Sequence, residues 1–137
     1  MRAYQQSKLA DLMFAFELER RLRAAGSNVI SIGVHPGVAQ TNLFKVGDGT
    51  GLAGIAQSFI QGAIGALLGT GLEGALPTIF AATAAAAKGG SYYGPEGFQE
   101  MRGGDVGPAI ISKAAQDVTA QQRLWDVCAE LTGVNFA

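Results

Sequence analysis

Tyr4 and Lys8 stand four residues apart near the start of a chain of 137 residues. On a helix, two such side chains share one face, with Cβ atoms about 5–6 Å apart. A free phenol titrates near pH ~10, so a tyrosine alone exchanges protons poorly at neutral pH. An ammonium group one turn away favours the phenolate and lowers that pKa. The pair is therefore a tunable general acid/base, of the kind that protonates a carbonyl oxygen as hydride arrives. The spacing alone is weak, because tyrosine and lysine meet at this interval by chance on many surface helices. Its meaning depends on the elements that would position it.

The first of these is a helix over residues 5–25. Leu9, Leu12, Met13 and Phe16 recur at three- and four-residue intervals, and Phe14, Leu18 and Leu22 make a second apolar stripe. Glu17, Glu19, Arg20, Arg21 and Arg23 read as the solvated remainder. Gly26 offers the left-handed stop that helices favour. Two apolar stripes imply a helix held between a sheet and a second partner. Residues 28–34, "NVISIGV", then read as a buried strand ended by Pro36-Gly37. Helix, tight link and buried strand make half of a β–α–β unit.

Further along, Thr70 and Glu73 form a capping box for a helix running to about Ala87, with Pro77 near its first turn. Residues 91–93, "SYY", read as a short strand, and "GPEGFQEMRGGDVGP" as a turn-rich tail. Thr119 and Gln122 cap a last helix over about 120–131. Leu124, Val127, Cys128 and Leu131 would line one face of it, and Gly133 would stop it. Trp125, Tyr92 and Tyr93 read as core or interface packing, with pocket lining as the alternative, and Cys128 as a small buried hydrophobe. His35 reads as structural or as flanking a cofactor.

Composition narrows the function classes. With 48% hydrophobic and 15% charged residues the chain is a globular, sparsely charged sequence, long enough for one core. A net charge of -1 leaves no basic stripe to meet phosphates, which argues against a nucleic-acid partner. One histidine and one cysteine leave no metal-ligand cluster and no internal disulfide. The first residues lack an apolar signal core, so a cytoplasmic location is expected.

Between Gly49 and Leu72 no residue is charged. That length raises the question of a membrane span. Gln57, Ser58 and Gln61 interrupt it, glycine is frequent, and no Lys or Arg supplies the polar face of an interfacial helix. A mobile apolar lid over a pocket, covering residues 44–72, is the favoured reading, and a membrane role the alternative.

Taken in order, "YQQSK", the two-faced helix, the Val/Ile strand and "HPGVAQTNL" at 35–43 resemble the short-chain dehydrogenase/reductase family. "SYYGPEGFQEMRG" and "RLWDVCAELTGV" resemble its retinol-dehydrogenase-like and protochlorophyllide-reductase-like members. The resemblance implies an α/β fold, the C-terminal half of a Rossmann-like doubly wound domain, and NAD or NADP as cofactor. Its order would be catalytic helix, strand, substrate loop, helix, short strand and C-terminal helix. It implies Tyr4 as proton donor to the substrate oxygen. Lys8 would hydrogen-bond the nicotinamide ribose and lower the Tyr4 pKa. Pro36, Gly37 and Val38 would turn their backbone toward the nicotinamide carboxamide, and Thr41 would donate its hydroxyl to the cofactor. Ser7 is not the family's catalytic serine. The uncharged loop would set specificity for an apolar carbonyl or alcohol substrate.

The departures are as informative. No Gly-x-x-x-Gly-x-Gly turn follows a strand to cradle a pyrophosphate, and "GDGTG" at 47–51 follows the Pro-Gly turn instead. The family's Asn-Ala-Gly motif and serine strand are absent too. The chain is thus expected to be a single partial domain over 1–137, truncated and inactive alone. A homo-oligomer is expected through the 5–25 helix, with Phe14, Leu18 and Leu22 as its surface. Two function classes stay open: the oxidoreductase of the family, or a non-catalytic remnant that dimerises or binds an apolar ligand.

Overall fold

The computed structural model describes residues 2–37, 71–97, 100 and 103–134. Helix α1 spans Arg2–Ala24. It ends as its sequence requires. Gly26 takes a left-handed φ of 65°, Ser27 N–H donates to Leu22 O at 2.9 Å, and Gly26 N–H donates to Arg23 O at 3.1 Å. These are the two bonds of a Schellman stop. Arg21 and Arg23 in the last turn complement the exposed carbonyls there.

Strand β1 (Gly33–Val34) pairs in parallel with β2 (Tyr92–Pro95), which pairs antiparallel with β3 (Val106–Pro108). Gly33 lies opposite Tyr92, Val34 opposite Tyr93, and Gly94 opposite Gly107. The expected strand over 28–34 is corrected to two residues. Val29 and Ile30 are 64% and 48% exposed, and among the described residues their β-branched preference finds no neighbouring backbone to pair with. Part of the expected tail is also strand, since residues 106–108 extend the sheet beyond β2.

Helix α2 (Gly71–Thr83) comes between β1 and β2 in the chain, and the two strands pair in parallel, so the three make a β–α–β unit. It stops short of the expected Ala87. Pro77 lies in its interior, buried, and not at its first turn. Thr70, half of the expected capping box, lies outside the described residues, as do residues 44–70 of the expected lid; Gly71 and Leu72 open α2 instead.

Alternation along the strands assigns the helices to opposite faces of the sheet. On one face Gly33 sits beneath α1, so close that an added Cβ would meet Leu12 Cδ1 at 2.6 Å. On the other, Tyr93 meets Phe80 of α2 edge to face, with ring centroids 5.0 Å apart. The result is a small doubly covered α/β sheet, as expected of the later half of a Rossmann-like fold.

Helix α3 (Val118–Thr132) packs along α1. Its N-cap is Asp117, whose carboxylate accepts Ala120 N–H at 3.1 Å, and not the expected Thr119 with Gln122. Asp117 outcompetes threonine here because it stands one residue before the first helical turn, with the backbone extended. Gly133 is the stop, at φ 69°. The buried face is carried by Gln121 and Trp125; Leu131 and Val127 are 80% and 42% exposed, contrary to expectation. Trp125 stacks on Phe14 at 4.8 Å, and the Arg21 guanidinium lies over the same indole at 4.6 Å. Leu22 is buried as well. Phe14, in the second stripe of α1, is therefore partly covered within the chain by α3, while Leu18 lines an open hollow beside it.

Glu17 and Glu19 correct a further expectation, for neither is solvated. Glu17 is fully buried and is gripped by Arg20 and by Arg21, whose Nε donates at 2.7 Å. Glu19 accepts Ser31 N–H at 2.7 Å and Arg23 Nε at 2.6 Å, which ties α1 to the segment entering β1. Among the described residues no helix is long and apolar enough to cross a membrane.

Candidate active site

One hollow of about 600 Å3 opens between the N-terminal half of α1 and the edge of β1. Its lining includes Tyr4, Lys8, Asp11, His35, Pro36, Gly37 and Tyr92. Four predicted site residues thus converge from two elements separated by more than a helix length. The join at Gly33 explains how. With no side chain there, Leu12 drops onto the sheet and brings the first turns of α1 beside the Pro36-Gly37 turn. Val38 and Thr41, the other predicted cofactor residues, lie outside the described residues.

Tyr4 is 63% exposed where it lines the hollow, and Lys8 Nζ sits 5.9 Å from its ring centroid. The ammonium is engaged elsewhere: it donates to Asp11 Oδ2 at 3.0 Å. That bond, with the carboxylate's charge, raises the Lys8 pKa above its ordinary value and keeps it cationic. Both side chains of the pair are well exposed, so the contact exchanges readily with water or a ligand. Ser7 Oγ donates back to Tyr4 O at 2.9 Å, a local bond within the helix.

Tyr92 lies deeper in the same hollow. Burial raises its pKa, and the Glu100 carboxylate raises it further, so its phenol stays neutral and a donor at physiological pH. Two tyrosines therefore share one hollow in opposite surroundings: Tyr4 beside a cation and open to water, Tyr92 desolvated beside an anion. Sequence reasoning missed Asp11, although its i+3 spacing from Lys8 was visible, and favoured packing for Tyr92 over the pocket lining it provides. Glu100 gave no signal, because its relation to His35 and Tyr92 is purely tertiary.

His35 flanks the turn. Its Nδ1 accepts Gly37 N–H at 3.2 Å, and its ring tilts against Tyr92 with centroids 5.2 Å apart. Gly37 itself takes a left-handed φ of 67°, the conformation the Pro-Gly turn needs.

No family model matches the chain. Individual proteins do. The chain is 31% identical over 130 residues to a Colletotrichum higginsianum short chain dehydrogenase/reductase, dpchH, spanning 92% of this chain and 29% of that protein. It is 31% identical over 133 residues to mouse retinol dehydrogenase 14, covering 96% and 35%. With the chloroplastic short-chain dehydrogenase TIC 32 B of Brassica napus it shares 34% over 133 residues, covering 95% and 36%. A crystal structure of an uncharacterized protein from Mycobacterium paratuberculosis superposes with a TM-score of 0.67 at 32% identity, over 98% of this chain and 40% of that one. The chain belongs to the short-chain dehydrogenase/reductase family. It spans about a third of the length of the curated relatives it matches. Within the family, the ordered Tyr4–Lys8 helix and Pro36-Gly37 turn are the parts this chain holds, and the structure places them around one hollow.

Proposed function

We propose that this chain carries the proton-delivery and nicotinamide-facing part of an NAD(P)-dependent oxidoreductase that interconverts an apolar carbonyl compound and its alcohol. The observation that carries this reading is the convergence of Tyr4, Lys8, Pro36 and Gly37 on one hollow. Its volume suits a small ligand or part of a dinucleotide. The nicotinamide would supply or accept the hydride when bound. Tyr4 would hand its phenolic proton to the substrate oxygen at the open mouth. Lys8 would leave Asp11 for the ribose side of the cofactor, bringing its charge toward the phenol. The Pro36-Gly37 backbone, held in its turn, would meet the carboxamide. The names of the retinol dehydrogenase relatives support an apolar substrate class for this chain.

The test is hydride transfer from deuterium-labelled NADH and NADPH to a medium-chain aldehyde, read by mass spectrometry of the alcohol. Tyr4→Phe is expected to lower the rate by about 100- to 10,000-fold. Absence of transfer in the wild-type chain would move the reading to the alternative, a non-catalytic apolar-ligand or dimerisation module. One observation favours that alternative: Phe14, Leu18, Trp125 and Val134 line an apolar hollow of about 380 Å3 between α1 and α3. Association of two chains along this α1 stripe would close it. Light scattering giving a dimer that Leu18→Glu dissociates would support such pairing, and a monomer would end it.

A further inference from the structure

His35 and Glu100 are the residues near the hollow to which the proposed chemistry gives no task. His35 Nε2 is sealed from solvent and has no well-aligned hydrogen-bond partner, yet Glu100 Oε2 lies 3.2 Å away. The other oxygen of that carboxylate is committed, accepting Ile110 N–H at 2.7 Å just beyond β3. Glu100 adopts a left-handed φ of 56°, a conformation costly for a residue with a side chain. The sheet accommodates the histidine with equal specificity. A Cβ on Gly94 would meet His35 Nε2 at 2.0 Å, so only glycine there lets the ring lie across β2. Three independent features therefore converge on one imidazole.

We infer that His35 and Glu100 form a positioning pair that holds the Pro36-Gly37 turn. An imidazole whose Nδ1 accepts Gly37 N–H must carry its proton on Nε2 when neutral. Glu100 is placed to receive that proton's hydrogen bond, which selects this tautomer and orients the ring. The chain of contacts runs from Ile110 N–H through the Glu100 carboxylate and His35 to Gly37 N–H. It links the far side of the sheet to the backbone turn at the hollow's rim. The consequence for cofactor placement rests on the proposed function; the positioning itself does not.

His35 is the only histidine in the chain, so its ring nitrogens can be observed by NMR without ambiguity. The neutral imidazole of the wild-type chain is expected to show the Nε2–H tautomer. Two variants divide the pair's contacts. Asparagine at this position can still accept Gly37 N–H, whereas glutamine reaches toward Glu100 and cannot turn back to Gly37. His35→Gln is expected to speed exchange of the Gly37 amide about fivefold, the factor set by one net hydrogen bond, while His35→Asn keeps its protection. Glu100→Ala is expected to give a mixture of tautomers, and Glu100→Gln to retain Nε2–H. An Nδ1–H tautomer in the wild-type chain overturns the inference, and needs no variant to fold. So does a Gly37 amide that exchanges equally fast in wild type and His35→Gln. If the tautomer and protection are as expected while neither NADH nor NADPH binds, the positioning pair stands and the cofactor reading falls.

Discussion

The two ends of helix α1 are built for different purposes. From Phe14 to Leu22 it is locked in place. Trp125 stacks on Phe14, Glu17 is enclosed by arginines, and Glu19 reaches across to Ser31 N–H. From Tyr4 to Asp11 the side chains are exposed apart from the half-buried Leu9 and Ala10, and the hydrogen bonds are local: Ser7 to Tyr4 O and Lys8 to Asp11. A helix anchored at one end and open at the other can present reactive groups without requiring them to hold the fold together. The difference teaches where substitutions should hurt stability and where they should hurt chemistry.

The largest stability loss is expected at the anchored end. Trp125→Ala removes a nearly fully buried indole stacked on Phe14 and should cost about 3–5 kcal/mol in urea denaturation. A loss below that of an ordinary surface change would show that α3 does not anchor α1. Glu19→Ala should follow at about 2–3 kcal/mol, because Ser31 N–H loses its acceptor in a half-buried setting. Gly33→Ala forces a methyl against Leu12 and should cost about 1–3 kcal/mol. It should also weaken ligand binding in the hollow, which sharpens the comparison, since the glycine is the joint between the two ends.

At the open end the order reverses. Tyr4→Phe should change stability by no more than about 0.5 kcal/mol while lowering the proposed hydride transfer by about 100- to 10,000-fold. A destabilised Tyr4→Phe would blur the distinction between the ends. The smallest effect is the pH response of Lys8. Its folded pKa is raised by Asp11, so the pair's contribution is present below the ordinary lysine value of 10.5 and fades as pH climbs through the folded value. The difference in melting temperature between wild type and Asp11→Asn should therefore shrink in strongly alkaline buffer. A difference that persists there would assign it to something other than this ion pair.

How much of this was legible in the sequence follows the same divide. Local signals read well: the amphipathic pattern of α1, its stop at Gly26, the Tyr4–Lys8 interval and the Pro36-Gly37 turn all depend on residues close in sequence. Tertiary facts did not. Glu17 and Glu19 look like a solvated face because burial of a carboxylate depends on arginines and backbone donors that only folding supplies. The run at 28–34 looks like a buried strand, but a ladder needs a neighbour, and only Gly33 and Val34 pair. The strand at 106–108 was hidden by its glycine and proline, since its pairing to β2 owes little to propensity. Glu100 belongs to the same class, for nothing local predicts that a carboxylate in a glycine-rich tail faces a histidine 65 positions earlier.

The most direct test is a titration of the isotopically labelled 137-residue chain with NADH and with NADPH, followed by amide chemical shifts. Saturable changes at Gly33, Gly37 and Tyr92, weakened by Lys8→Met and absent at Phe14 and Trp125, are expected from a cofactor site at the open end of α1. Changes confined to the α1–α3 hollow, or none at millimolar cofactor, would contradict it.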